Sequence, residues 1–152
     1  MEIARIRLAE NKDFNSIMFL RDCDIKFEDR KFNYEPGRLM FHEMLNNKNC
    51  LYYVAEHKGK IIGQIYSGLQ PITSEIRILS IIVHPKYRRN RIGSKLIDII
   101  IKNTDSYIYN SIRTYFNEKS LKSIKDTTAF FNSIGFQPTL TDFPQYYMKL
   151  DN

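Results

Sequence analysis

Cysteine is nearly missing from this chain of 152 residues: it has two, Cys23 and Cys50, in no CxxC-type spacing. That argues against a disulfide framework or a zinc site, and fits a reducing compartment. The three histidines, His42, His57 and His84, are scattered and show no ligand spacing, so no metal is expected. The N-terminus, "MEIARIRLAE", has no apolar h-region of the signal-peptide kind. Apolar runs such as residues 99–101 are far too short to span a bilayer. The expectation is therefore a cytoplasmic protein without membrane contact. Internal repeats, low-complexity tracts and linkers are also lacking, and the length suits a single domain over residues 1–152. What is present is a globular composition, 43% hydrophobic and 26% charged. It carries a net charge of +6, which calls for an anionic partner without saying which.

The periodicities alternate between two and about 3.6. "EIARIRLA" reads as a strand and "NKDFNSIMFLRD" as a helix, capped by Asn11 or Asp13, with Phe14, Ile17 and Met18 on one face. Residues 22–35 mix charge with aromatics and read as irregular. Pro36 is expected to open a second helix. "CLYYVAEHKGKIIGQIYSGLQ" reads as a hairpin turning at Gly59, and "SEIRILSIIVHP" as a central strand, apolar on both faces and ended by Pro85. A helix follows from Arg91 to Asn103, then a strand in "SYIYNSIRTYF". "IKDTTAFFNSIG" reads as a helix with Gly135 at its C-terminal cap, and "FQPTL" with "QYYMKLD" as a closing strand pair. The strand–helix–strand unit over residues 75–115 should hold two parallel strands, and the hairpins imply antiparallel neighbours: a mixed sheet with helices on its faces.

One stretch concentrates the charge. "VHPKYRRNRIGSKL", residues 83–96, places His84, Lys86, Arg88, Arg89, Arg91 and Lys95 around Gly93, between a buried strand and the start of a helix. The first N–H groups of a helix lack partners and the dipole adds partial positive charge, so such a turn can hold a phosphate. The arginines can add bidentate contacts. Taken alone, it could equally be a solvated basic helix start.

In its context the stretch resembles the acetyl-CoA signature of the GNAT acetyltransferase superfamily, Gln/Arg-x-x-Gly-x-Gly/Ala, here Arg88, Arg89, Asn90, Arg91, Ile92 and Gly93. "AFFNSIGF", residues 129–136, resembles the family's second hallmark, a helix ending in Gly-Phe. The resemblance implies an α/β (α+β) fold with a mixed, largely antiparallel sheet of about seven strands flanked by about four helices. It also implies acetyl transfer from acetyl-CoA to a primary amine, whether a protein N-terminus, a lysine or a small molecule. By the same resemblance Ile81, Ile82 and Val83 would pair with the pantetheine arm. Arg88 to Ser94 would hold the pyrophosphate, and Asn117 would match a cofactor-contacting asparagine. Two positions depart from the pattern. Arg91 stands where the family usually has its first glycine; a helical backbone is expected there, with the arginine adding charge near the phosphates. Phe131 stands where many members carry a tyrosine that protonates the departing thiolate.

The acceptor must lose a proton before it attacks. For a lysine-like amine of pKa about 10.4 that costs roughly 4.6 kcal/mol at pH 7; for an α-amine it costs about 1–1.4 kcal/mol. A missing base is therefore more damaging than a missing acid. By the resemblance, Glu75 is the candidate base, on the same strand face as Arg77; an ordinary strand-end carboxylate is the alternative. Glu56 is a weaker candidate. Tyr115, Tyr146 or Tyr147 could replace the acid, or simply pack. By the same resemblance the acceptor site would involve residues 22–35 and "TLTDFPQ"; the acidic excess of the first could receive a cationic amine or equally be a solvated loop. Two readings compete: a basic nucleic-acid-binding module, against which stands the clustering of charge at one turn, and a degenerate acyl-CoA-binding protein without turnover. Either a monomer or a homodimer suits the sequence.

Overall fold

In the computed structural model of the chain, the described residues are 4–24, 37–115, 121–139 and 145–150. Among them, seven strands and four α-helices build a mixed α/β fold. In chain order they are β1 (Arg5–Leu8), α1 (Phe14–Asp24), α2 (Arg38–Asn46), β2 (Cys50–His57), β3 (Lys60–Gln70), β4 (Glu75–Val83), α3 (Ile92–Lys102), β5 (Ser111–Tyr115), α4 (Leu121–Ser133), β6 (Gln137–Pro138) and β7 (Gln145–Lys149). The sheet order is β1-β2-β3-β4-β5-β7-β6. The β4–β5 pair is parallel, as the crossover requires, while β1–β2, β5–β7 and β6–β7 are antiparallel. β2 and β3 are joined through Lys58 and Gly59, both at positive φ (49° and 77°), the condition for a two-residue hairpin turn. The chain divides into two compact units, Met1–Ser67 with Ser80–Asn103, and Gly68–Leu79 with Thr104–Asn152.

In the first unit, Ile17 of α1 and Phe41 of α2 pack on Tyr52 and Val54 of β2, with Phe14 and Met18 beside them. The expected apolar face of α1 is therefore the buried one. Its start differs from expectation. The N-cap is Glu10, opening a short 3-10 turn, and Asp13 reaches back to accept the Glu10 N–H at 2.8 Å. Asp13 also accepts a fork from Arg7 at 2.8 and 2.9 Å. Burial pushes the Asp13 carboxyl up, but the Arg7 hydrogen bonds and the Glu10 N–H outweigh it and hold the group below its ordinary range. α1 runs on to Asp24, three residues into the stretch expected to be irregular; residues 25–36 lie outside the described residues, Pro36 among them. Gly37 is the N-cap of α2. Cys23 and Cys50 are free thiols.

In the second unit, α4 ends in two linked hydrogen bonds, Gly135 N–H to Asn132 O at 3.2 Å and Phe136 N–H to Phe131 O at 2.9 Å, with Gly135 at φ 98°. This pairing closes a helix when a glycine turns left-handed and an apolar residue folds back on the last turn. Here Phe136 folds onto Phe131, ring centroids 5.0 Å apart. "AFFNSIGF" is thus a helix stop with its own hydrophobic clasp. β5 begins later than the alternation from Ser106 suggests. Asp105 accepts the Tyr107 N–H through its side chain and the Ile108 and Tyr109 N–H groups through its carbonyl, which makes that stretch a turn. Among the described residues no helix is long and apolar enough to cross a membrane.

Candidate active site

The basic turn belongs to the first unit. β4 ends at Val83, and His84 caps the next short turn, its Nδ1 accepting the Lys86 N–H at 3.2 Å. Tyr87 lies edge-on to the rings of His57 and His84, at 5.8 and 5.7 Å. Arg88 Nε donates to the Val83 carbonyl at 3.1 Å, tying the turn to the strand end. Asn90 Nδ2 donates to the carbonyls of Tyr87 and Arg88 at 3.0 and 3.2 Å. Main-chain oxygens are drawn inward to side chains.

Arg89 and Arg91 both take left-handed backbone, φ 65° and 61°. This corrects the expectation of a helical Arg91. It is the N-cap of α3, left-handed at ψ 18°, immediately before right-handed Ile92. A left-handed residue beside a right-handed one turns successive N–H groups into a concavity suited to an anion. Lys95 N–H, bonded to Arg91 O at 3.0 Å, is the first in α3 to find an intrahelical acceptor. The N–H groups of Ile92, Gly93 and Ser94 therefore have none. Gly93 is buried, while Arg88, Arg89 and Arg91 are exposed around it. The family's glycine at position 91 was the available clue, because a left-handed position is where glycine is preferred.

Glu75 belongs to the second unit and is buried at the head of β4, 8% exposed. Arg77 Nε donates to its Oε1 at 2.9 Å and Arg113 Nε to its Oε2 at 3.1 Å. It is thus neither a solvated strand-end carboxylate nor a free one. An ionised carboxylate has about four acceptor positions, so each oxygen keeps capacity for one further donor. Arg113 also donates to Gln145 Oε1 at 3.3 Å and lies over the Tyr147 ring, 5.4 Å from its centroid.

A model of the acetyltransferase (GNAT) domain matches residues 48–138, more than half of the chain. The chain belongs to the GNAT acetyltransferase family. Membership makes it an N-acetyltransferase, with acetyl-CoA as the acyl donor. Solved structures share its fold. The PaiA N-acetyltransferase of Thermoplasma acidophilum, solved with coenzyme A, is 16% identical at TM-score 0.77, over 98% of this chain and 99% of that one. An N-acetyltransferase of Staphylococcus aureus Mu50 is 22% identical at 0.70, over 97% and 99%. The ribosomal-protein-S18-alanine N-acetyltransferase of Escherichia coli is 16% identical at 0.67, over 97% and 93%. No curated protein matches in sequence.

The other expected residues of this GNAT chain fall as follows. Ile81 and Val83 are half-buried and Ile82 buried on β4. Asn117 lies outside the described residues, as does the side chain of Tyr115. Phe131 is 1% exposed, stacked on Tyr146 at 5.0 Å. Tyr146 is itself buried, its hydroxyl paired with Thr128, which makes it core. Glu56 accepts from Arg7 Nε at 2.9 Å, and that hydrogen bond holds its carboxyl below the ordinary range. Sequence reasoning missed Arg113. Its one signal was a charge between Ile112 and Thr114, in a strand otherwise fit for burial.

The left-handed arginine yields a prediction. Left-handed backbone costs a non-glycine residue about 1–2 kcal/mol, and glycine gives back about 0.4–1 kcal/mol through its looser unfolded chain. Arg91→Gly should therefore melt at or slightly above wild type, while Arg91→Ala keeps the strain. Both lose the charge, and both should bind acetyl-CoA several-fold more weakly, with a shallower salt dependence. Calorimetry at two salt concentrations reads this out. Undiminished affinity in both variants would remove the arginine from the phosphate contact.

Proposed function

We propose that this GNAT protein acetylates a primary amine, that the turn at residues 88–94 holds the pyrophosphate of acetyl-CoA, and that Glu75 receives the acceptor's proton. Acetyl-CoA supplies the activated acyl group; the chain supplies position and charge. The observation that carries this reading is the left-handed Arg91 followed by the start of α3, where three helix N–H groups lack intrahelical acceptors and Asn90 pins the turn. A diphosphate suits such a concavity by charge and by hydrogen-bond direction. The main chain of Ile81, Ile82 and Val83, which leads into the turn, would hold the pantetheine arm. Phe131 has no proton to give. Glu75 is anchored by two guanidiniums and retains acceptor capacity.

Calorimetry with acetyl-CoA and with a short oligonucleotide tests the turn. Acetyl-CoA is expected to bind; salt-tolerant binding of the oligonucleotide alone would overturn the reading in favour of a nucleic-acid module. Thiol release on a panel of amines and N-terminal peptides tests turnover. Binding without release on any acceptor would leave an acyl-CoA-binding protein that does not transfer.

A further inference from the structure

A glutamine stands in the apolar core of the first unit. Gln64 is fully buried within β3, between Gly63 and Ile65. Gly63 faces Ile92 and Leu96 of α3, so by alternation Gln64 points to the opposite face of the sheet. Tyr66, two residues on, packs there against the core that holds Ile17 and Phe41. Gln64 Nε2 donates to Ser80 Oγ of β4 at 2.7 Å. Its Oε1 is buried and meets no donor among the described residues. A buried, half-paired amide costs stability that an apolar side chain of the same size would not. Such a group calls for a reason beyond packing, and its hydrogen bond goes to Ser80. A serine hydroxyl that accepts still has one proton to donate. With Gln64 Nε2 as its donor, Ser80 therefore directs that proton elsewhere. Ser80 is half-buried and immediately precedes Ile81. Gln64, Ser80, Ile81 to Val83 and the turn at residues 88–94 all belong to the first unit.

We propose that Ser80 donates a hydrogen bond to the sulfur of acetyl-CoA as it departs, and that Gln64 is the positioning residue that aims it. The inference rests on the reading that places the pyrophosphate at residues 88–94 and the pantetheine arm along Val83, Ile82 and Ile81. The sulfur ends that arm on the side away from the phosphates. It would therefore come beside the residue before Ile81, which is Ser80. In the transfer the amine nitrogen forms a bond to the acetyl carbon. The carbon–sulfur bond breaks and its electron pair goes to sulfur, while the amine's proton goes to the base. Ser80 gives up no proton. Its O–H stabilises the negative charge gathering on sulfur, and a hydrogen bond to an ion is stronger than one between neutral groups. Phe131 has nothing to donate at this step. A donor fixed in advance needs no reorganisation as the charge develops, and Gln64 does the fixing from inside the core.

The test titrates the thiol of coenzyme A bound to the full chain, followed by the ultraviolet absorbance of the thiolate. A hydrogen bond to the thiolate lowers the pKa of the thiol. Ser80→Ala should raise the bound thiol's pKa by about one unit, a tenfold loss of acidity. It should also lower kcat and kcat/KM for acetyl-CoA about equally, since the bond is made as charge develops. Ser80→Thr, which keeps the hydroxyl, should restore most of both. Gln64→Met conserves volume and removes the half-paired amide. Its Tm should equal or exceed that of wild type, yet its bound thiol should lose acidity as in Ser80→Ala. An amide serving the core alone would show the reverse, a lowered Tm and an unmoved thiol, and would overturn the role of Gln64. If Ser80→Ala alone fails to fold because it strands the amide, Ser80→Ala combined with Gln64→Met gives the same reading. Coenzyme A bound with a thiol pKa unmoved by loss of the Ser80 hydroxyl would overturn this inference and leave the pyrophosphate turn standing. That result would follow if Ser80 spent its proton on the Gln64 oxygen. No binding of coenzyme A would overturn the reading of the turn, and this inference with it.

Discussion

Glu75→Gln is expected to lower acetyl transfer to a lysine-like amine by about 10²-fold at pH 7, with the deficit closing as the pH rises toward 10. The sign follows from the acceptor. At pH 7 a lysine-like amine is almost wholly protonated, and its neutral form lies roughly 4.6 kcal/mol uphill. A positioned carboxylate takes that proton as attack proceeds; at high pH, solvent has already removed it. For an α-amine the uphill step is only about 1–1.4 kcal/mol, so the same substitution should cost such an acceptor nearer tenfold. Glutamine keeps the shape but loses the charge that separates Arg77 from Arg113. The variant should therefore also be less stable, by about 1–3 kcal/mol, and rates must be read well below its melting temperature. Acetyl-CoA affinity should hold, because Glu75 is no part of the turn at residues 88–94. A loss of equal size at every pH would make Glu75 a positioning residue for its arginines. Unchanged turnover would make it a structural ion pair.

What could be read in advance follows from how local each determinant is. The end of β4 and the start of α3 were legible because Pro85 stops one periodicity and Ile92, Leu96 and Ile100 begin another, all buried in the structure. The stop of α4 was legible because a glycine and the flanking phenylalanines lie within six residues. The β5 boundary was not: the apolar alternation of "SYIYN" is real, yet the Asp105 side chain claims the Tyr107 N–H and leaves Tyr107 98% exposed. A single side-chain hydrogen bond thus outweighed a periodic pattern. Glu75 could be named from the family resemblance, and the face it shares with Arg77 from the period of two. Its bond to Arg113 spans 38 positions and depends on the register of a parallel pair, which no local pattern encodes. The Arg7–Asp13–Glu56 cluster is hidden in the same way, since it needs β1 laid beside β2.

Gly63→Leu is expected to destabilise the protein by about 3 kcal/mol or more, at the upper end of what overpacking a filled core costs. Gly63 sits mid-way along β3, where "KIIGQIY" interrupts an otherwise β-branched and aromatic run. A Cβ placed there would lie 3.2 Å from Ile92 Cγ2, 3.3 Å from the Ile82 carbonyl oxygen and 3.3 Å from Leu96 Cδ1. Ile92 and Leu96 are the first two buried apolar anchors of α3 on this side, and the Ile82 oxygen is main chain, so it cannot rotate away. Glycine is thus what lets the first turn of α3 press against β3. Alanine already meets all three contacts and should cost about 1 kcal/mol; leucine must push α3 off the strand or leave its rotamer. For a chain of this size about 3 kcal/mol lowers Tm by roughly 6–12 °C, which a melting curve resolves easily. The effect should reach function, because the N–H groups of Ile92, Gly93 and Ser94 travel with that first turn. Gly63→Ala, still folded, should therefore bind acetyl-CoA more weakly although no side chain of the turn has changed. Wild-type affinity in a Gly63→Ala protein of lowered Tm would show that the seating of α3 and the grip of its N-terminus are independent.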